Sequence, residues 1–550
     1  MRKSLGSLFL IIFLVFFVYF NSLHSPFLWD DEVMVVQNPL IKSWRFADDI
    51  FKFSAFGERW DPGKFYRPLQ IFSYLIDYSL WKNTPFGYHL TNVSLHAVNA
   101  ALVFWLLTLI FQNGVMAFIS TLLFAIHPVH IEAVTYISGR GDLIFLCLSL
   151  ISFITFLLAL KGRRALFFLS FLSAGLAFIS KENALPLPLI MTVYGVLMYR
   201  SEVRRVTSFI FLSLLNMTAM GYVLYRMVGL KGQMTGTYSE IALASFTERL
   251  MTIPHLLVTY IRLLFFPHPL HMEYHFVEKH WVNPYLWIGL PIIAIGFGLG
   301  LAFMKRKADQ KKGVFFLLFF FLGLGTVYHI PVPLAATLRE HWLYLPSIGM
   351  IAFCVLLGKT VISRYPHPFV RHGFIVLAFV FGAGFTYKTI ERNEDWKDPL
   401  LLYEHDLRLE PKSFVLHNNA GVIYYRMGLF KEAKKAFVNA VQASPFQAYG
   451  TAYNNLGVIL EAEGEVEDAV THYKTSIQTS QYQLAYRNLA RIYTQQGKNQ
   501  EAISLLEEAI IIHPLYNELY YLLSSIYLSQ EEKEKARTVL LKLRERTGKF

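Results

Sequence analysis

The chain has 550 residues, of which 54% are hydrophobic and 16% charged, too apolar and too long for one water-soluble core. Its formal net charge is +12, but many of the Lys and Arg cluster in short loops between apolar runs, a membrane pattern and not a nucleic-acid footprint. The two cysteines, Cys147 and Cys354, both fall inside apolar runs, which excludes a disulfide framework and a cysteine metal site.

Runs long enough to cross a bilayer as helix are expected at 5–23, 89–111, 115–134, 142–160, 165–180, 184–200, 206–226, 284–303, 313–331, 342–361 and 372–390, about eleven in all. The first follows Arg2 and Lys3 and reads as an uncleaved helix, because Asn21-Ser22-Leu23-His24-Ser25-Pro26 is a poor cleavage pattern and many spans follow. The run 250–266, ended by Pro267-His268-Pro269, is assigned as re-entrant or interfacial. With that assignment, the basic clusters Lys161 to Arg164, Arg200 to Arg205, Lys305 to Lys312 and Arg364 to Arg371 all fall on the cytoplasmic side. The N-terminus is then cytoplasmic. Loops 24–88 and 227–283 share the outer face with everything after 391.

Three acids follow the first span in Phe27-Leu28-Trp29-Asp30-Asp31-Glu32. Adjacent carboxylates repel, which raises at least one pKa unless a cation or donor compensates. The cluster therefore reads either as a solvated helix end or as a general base facing a membrane-embedded donor. The same outer face receives Tyr66-Arg67-Pro68, His127-Pro128-Val129-His130-Ile131-Glu132, Gly139-Arg140-Gly141-Asp142, Lys181-Glu182-Asn183 and Arg339-Glu340-His341. Each caps a span, so each by itself also reads as an ordinary interfacial residue. His127 and His130 have the content of a metal pair, but their spacing is interrupted by proline. Cations and carboxylates from several spans converging on one face suit an anionic lipid head group.

Beyond Glu391 no spanning run exists. There Ala420-Gly421, Tyr424, Ala433, Phe437, Ala440 and Pro445 follow the tetratricopeptide pattern. Leu456-Gly457, Ala469, Tyr473 and Ile477 repeat it, as do Leu489-Ala490, Tyr493, Ala502, Leu506, Ala509 and Pro514, and finally Tyr520, Leu523, Tyr527 and Ala536. Small residues let two antiparallel helices approach, large ones fill the gap, and proline stops the second helix. About four units are expected over 414–550, with 391–413 as linker or half-repeat. Such an array binds an extended ligand or acts as a spacer.

Taken together, Asp30-Asp31, Tyr66-Arg67-Pro68-Leu69, Gly87-Tyr88-His89-Leu90-Thr91-Asn92 with Leu95-His96, His127 to Val134, Gly139-Arg140-Gly141-Asp142, Lys181-Glu182 and Leu343-Tyr344-Leu345-Pro346-Ser347 resemble the transmembrane and tetratricopeptide repeat-containing O-mannosyltransferases, including their prokaryotic relatives. These belong to the GT-C class of lipid-phosphate-sugar glycosyltransferases. The resemblance covers nearly the whole chain, in order. It implies an all-α fold, with a GT-C-type membrane helix bundle over 1–390 followed by a tetratricopeptide-repeat solenoid. It also implies a polyprenyl- or dolichyl-phosphate sugar donor, typically mannose, and inverting transfer to a protein hydroxyl with Asp31 or Asp30 as base. Arg140, Lys181, Arg67, Arg339 and His341 are expected at the donor phosphate, supported by Glu32, His127, His130, Glu132, Asp142, Glu182, His89 and Glu340. No cofactor or metal is required, although the first-loop acids are also able to hold a divalent cation. The family has Glu-Arg before its Leu-Tyr-Leu-Pro-Ser stretch, where this chain has Glu340-His341 and an arginine one residue earlier.

The expected setting is a bacterial inner membrane, or the endoplasmic reticulum membrane in a eukaryote, with the repeats extracytoplasmic and binding a protein acceptor or partner. The rival readings are transfer to a lipid or polysaccharide acceptor, a glycan transporter, and an assembly scaffold. Transporters place ionisable groups near the midplane on broken helices, whereas the acids and bases here gather at span ends.

Overall fold

The structure is a computed structural model that describes residues 2–52, 66–203, 205–229, 239–304, 307–330, 333–514 and 516–547. Arg204, Lys305 and Arg306, members of two of the basic clusters, lie outside the described residues. Among the described residues every named element is helical, and one isolated antiparallel bridge joins Tyr274 to Leu338.

Among the described residues, eight helices are long and apolar enough to cross a membrane: Leu5–His24, Pro85–Phe111, Ile137–Leu160, Val206–Tyr225, Tyr285–Phe303, Lys307–Val327, Pro346–Arg364 and Pro368–Asp395. A ninth segment, Gly114–Ala125 with Pro128–Val134, is bent by 55° at its break. His127 there has an extended backbone (ψ 127°), the conformation that a following proline favours. The expected spans 165–180 and 184–200 emerge as the shorter apolar helices Leu166–Ser180 and Glu182–Met198. Lys181 between them is fully extended (φ −162°, ψ 141°). The chain is a multi-pass membrane protein: among the described residues eight helices, or nine with the bent pair counted as one span, are long and apolar enough to cross, and the two shorter apolar helices add to them.

The 250–266 stretch belongs to the helix Phe246–Phe265, opened by a capping box between Ser245 and Glu248. It buries Met251, Leu256, Tyr260 and Leu263 and exposes Phe246 and Leu250, the two-faced pattern of a surface helix. It is not among the spanning helices.

Two compact units divide the chain, Met1–Val36 with Pro62–Asp398 and Gln37–Asp61 with Pro399–Phe550. The boundary after Asp398 lies past the expected 390 because the last span runs on as helix to Asp395 and buries its polar end. Thr389 Oγ1 donates to the Ile126 carbonyl (2.9 Å), Thr135 Oγ1 donates to Asn393 Oδ1 (2.7 Å), and Asn393 Nδ2 donates to the Val18 carbonyl (3.3 Å).

In the first unit the helix Pro85–Phe111 is central. Its His96 bonds the Tyr344 hydroxyl (2.7 Å) and the Ala125 carbonyl (3.0 Å), and Asn99 Nδ2 donates to the Leu143 carbonyl (2.9 Å). Polar groups buried among apolar helices hold register because an unpaired one is costly.

The second unit opens with the helix Pro399–Leu409. Four helix pairs follow: Phe414–Arg426 with Phe430–Ala443, Gly450–Ala462 with Val466–Ser480, Gln483–Gln495 with Asn499–Ile512, and Asn517–Ser529 with Lys533–Thr547. The small-residue positions have the expected cause. A Cβ at Gly421 would stand 2.6 Å from the Phe437 ring, and one at Gly457 2.7 Å from Tyr473.

Candidate functional site

The neighbouring first-loop acids take different positions. Trp29 has a left-handed backbone (φ 51°), uncommon for a residue of its bulk, and it turns the chain just before them. Asp31 is buried, and its carboxylate is spoken for. Oδ1 accepts from the amide (2.8 Å) and the hydroxyl of Ser138, and Oδ2 accepts from the Leu28 amide (3.0 Å). Burial outweighs these donors and pushes its pKa up to about 7. Asp30 is half-buried, and its amide donates to the Tyr136 hydroxyl (3.0 Å). Burial raises its pKa too, opposed by the Arg339 guanidinium, the Tyr136 hydroxyl and the Arg67 guanidinium.

Those two arginines arrive from distant parts of the first unit. Arg67 stands just before the helix Pro68–Trp81, and its Nη2 meets Glu182 Oε1 at 3.1 Å. Arg339 donates from Nη1 to the Met272 carbonyl (2.7 Å), pairs through Nη2 with Glu273, and lies 5.3 Å over the Trp29 ring. Next to the Arg67 pair, Lys181 Nζ contacts Asp142 Oδ2 at 2.6 Å. Beyond Arg339, His341 Nδ1 contacts Glu132 Oε1 at 2.8 Å and its amide donates to Glu132 Oε2 (3.1 Å). The result is a run of alternating charges, and both of its arginines act electrostatically on Asp30.

Other expected site residues are placed elsewhere. Arg140, expected at the donor phosphate, is fully buried. It pairs with Asp77 and donates to Asn92 Oδ1 (2.7 Å), the Tyr88 carbonyl (2.8 Å) and Ser73 Oγ (3.3 Å), with the Tyr74 ring 4.6 Å away. A guanidinium so occupied braces three helices and is not presented to a ligand. His127 bonds the Leu264 carbonyl (3.0 Å), His130 bonds the Phe124 carbonyl (2.9 Å) and Ser347 Oγ (3.1 Å), and His89 bonds the Ser25 carbonyl (2.9 Å), all buried. The His127 and His130 pair thus serves packing. Glu340 accepts from the His271 amide and the Tyr274 hydroxyl, both at 2.7 Å, and burial pushes its pKa up to about 8. It anchors the 271–274 segment. Glu32 opens the π-helical turn Glu32–Val36.

One residue of the cluster was not anticipated. Glu273 is buried, grips Arg339, and receives His275 Nε2 on Oε2 at 2.7 Å. The available signal was an acid bracketed by His271 and His275 in the outer loop 227–283.

The repeats match the model of the tetratricopeptide repeat over residues 415–447, 448–513 and 493–549. Across the longer chain, a protein O-mannosyl-transferase of Caenorhabditis elegans, F38B6.6, is 26% identical over 80% of this chain and 63% of its own length. Protein O-mannosyl-transferase TMTC3 of Homo sapiens is 24% identical over 98% of this chain and 64% of its own. The chain is a homologue of the protein O-mannosyl-transferases. It spans less than two thirds of the length of these relatives. Among solved structures, that of ArnT from Cupriavidus metallidurans bound to undecaprenyl phosphate aligns over 91% of this chain and 80% of that one, at 11% identity and a TM-score of 0.41.

Proposed function

We propose that the first unit is a GT-C-class membrane glycosyltransferase that moves a sugar, most simply mannose, from a polyprenyl- or dolichyl-phosphate carrier to a protein hydroxyl. The observation that carries this reading is the run of paired charges Arg67–Glu182, Lys181–Asp142 and Arg339–Glu273, both of whose arginines act electrostatically on the Asp30 carboxyl. The homology to protein O-mannosyl-transferases supports it.

In the proposed step the acceptor oxygen attacks the anomeric carbon and gives its proton to Asp30. The bond from that carbon to the phosphate oxygen breaks, and the lipid phosphate leaves with inversion. Asp30 is preferred over Asp31 as base because the Asp31 carboxylate is already held by Ser138 and Leu28. Arg67 and Arg339 meet the charge growing on the phosphate through paired donors. General base assistance contributes on the order of 10²–10⁴-fold, and positioning supplies much of the rest.

On the expected order of spans, the basic clusters favour an N-terminus in the cytoplasm, with the site and the repeats on the outer face. There the repeats raise the local concentration of a protein acceptor. The deciding experiment incubates the purified full chain with radiolabelled polyprenyl-phosphate mannose and separate peptide and glycolipid acceptors. Label on peptide, lost in Asp30→Asn, supports the reading. Label on glycolipid alone transfers the proposal to a lipid acceptor, and no transfer to any acceptor overturns it.

A further inference from the structure

A general base must keep an oxygen within hydrogen-bond reach of the proton it takes, and an aspartate side chain left to itself samples several rotamers. Arg67 and Arg339 act on the Asp30 carboxyl, yet each guanidinium is tied to an acid of its own, Glu182 and Glu273. The Tyr136 hydroxyl touches Asp30 at two points. Its oxygen accepts from the Asp30 amide (3.0 Å), and the same hydroxyl is a hydrogen-bond partner of the Asp30 carboxyl. An ionised carboxylate only accepts, so the phenol proton points at it. One hydroxyl thereby grips both the backbone and the side chain of Asp30.

Tyr136 is itself held from two sides. It has an extended backbone (ψ 120°) just before the turn Ile137–Gly139, and its carbonyl accepts from Asn92 Nδ2 (3.1 Å), which also donates to the Val134 carbonyl (3.1 Å). Asn92 is fully buried, and its Oδ1 receives Arg140 Nε (2.7 Å) while Arg140 pairs with Asp77. On the other side the Tyr136 ring packs against Trp396, with centroids 5.7 Å apart. Trp396 is buried at the end of the last span. The buried ion pair is thus the first link of a chain of contacts, Asp77, Arg140, Asn92 and Tyr136, that ends on Asp30. A polar chain of this kind is costly to leave half-made, so it keeps the hydroxyl in one place.

We infer that Tyr136 is the positioning residue of the base, its hydroxyl fixing the Asp30 carboxyl while Asn92, Arg140 and Trp396 hold Tyr136 in place. This rests on the glycosyl-transfer reading. Tyr136 acts through Asp30 and not on the substrate. A hydrogen bond donated to a carboxylate stabilises its charged form, so the contact also keeps Asp30 able to accept a proton against the burial that opposes its ionisation.

The test is Tyr136→Phe in the full-length chain, which keeps the ring for Trp396 and the carbonyl for Asn92 and removes only the hydroxyl. The charges of Arg67, Arg339, Glu273 and the neighbouring Asp31, which also act on or beside Asp30, stay in place. With radiolabelled polyprenyl-phosphate mannose and a peptide acceptor, the acidic limb of kcat/KM should move up by about one pH unit, the roughly tenfold effect of losing one donor to a carboxylate. Binding of bare polyprenyl phosphate should stay as in wild type. The infrared band of the protonated carboxyl that Asp30→Asn removes should titrate with the same displacement, and it is read without turnover. Placing 3-fluorotyrosine at position 136, a more acidic donor of nearly the same shape, should move limb and band the other way, to lower pH. A tyrosine that only packs predicts no such opposed shifts. If neither limb nor band moves in either protein, the positioning role is overturned while the transferase reading stands. If the wild-type chain transfers no sugar to any acceptor, that reading falls and the role falls with it.

Discussion

Arg140 and Asp77 form an ion pair closed off from solvent, with Nη1 to Oδ2 at 2.5 Å. The Gly-Arg-Gly-Asp stretch therefore offers its arginine to the protein interior and its aspartate, through Lys181, to the site.

Removing one partner of that pair should unfold the first unit before it affects chemistry. Asp77→Asn leaves a buried guanidinium short of its counter-charge, a loss of roughly 3–5 kcal/mol for pairs of this kind. Arg140→Lys keeps the charge but gives up the fork of bonds to Asn92 and Tyr88. Both should lower the melting temperature in detergent. An Arg140→Lys variant that melted like wild type yet lost donor binding would return Arg140 to the phosphate.

Asp30 and Asp31 should separate chemistry from stability. Asp30→Asn should cut transfer by about 10²–10⁴-fold with little change in melting temperature. Asp31→Asn replaces one acceptor oxygen by an amide that cannot receive the Leu28 or Ser138 donors, so it should melt earlier and lose activity only in proportion to unfolding. The reverse pattern would make Asp31 the base.

Stability should fall as pH rises through neutrality. An unperturbed Asp titrates near ~3.9, but Asp31 in the folded chain titrates at about 7 and Glu340 at about 8. The folded state then holds these protons more tightly than the unfolded one. Their contribution is complete below the unfolded values and is lost as pH climbs through about 7 to about 8. Melting curves from pH 5 to 9 should drop across that window, and the drop should shrink in Glu340→Gln. A flat profile would show that these carboxyls stay ionised when folded.

Glu273 positions Arg339. Glu273→Gln keeps the shape and removes the charge that orients the guanidinium, so kcat should fall on the order of tenfold. Melting temperature and binding of bare polyprenyl phosphate should change less. Unchanged kcat would reduce the contact to packing of the 271–275 segment.

In the repeats, Gly457→Val places carbon where the Tyr473 ring already stands. It should melt the second unit by the overpacking penalty, about 1–3 kcal/mol, and lower transfer to a protein acceptor more than transfer to a short peptide. Equal losses on both acceptors would argue against an acceptor-binding role for the repeats.

The sequence by itself determined the two-part plan. Apolar run length reports bilayer thickness residue by residue, and Gly421, Phe437 and Ala440 report helix-on-helix packing within one repeat, both local consequences of side-chain size and polarity. It also narrowed the candidate chemistry to Asp30 and Asp31 with Arg140, Lys181, Arg67, Arg339 and His341. Only the tertiary structure decided how these divide. Ser138 and Leu28 claim Asp31, Asp77 and Asn92 claim Arg140, and Glu273 holds Arg339. Each of those partners lies too far away in sequence, or too close for its orientation to be read, because whether a buried charge faces a ligand or another residue depends on which helices the fold brings together.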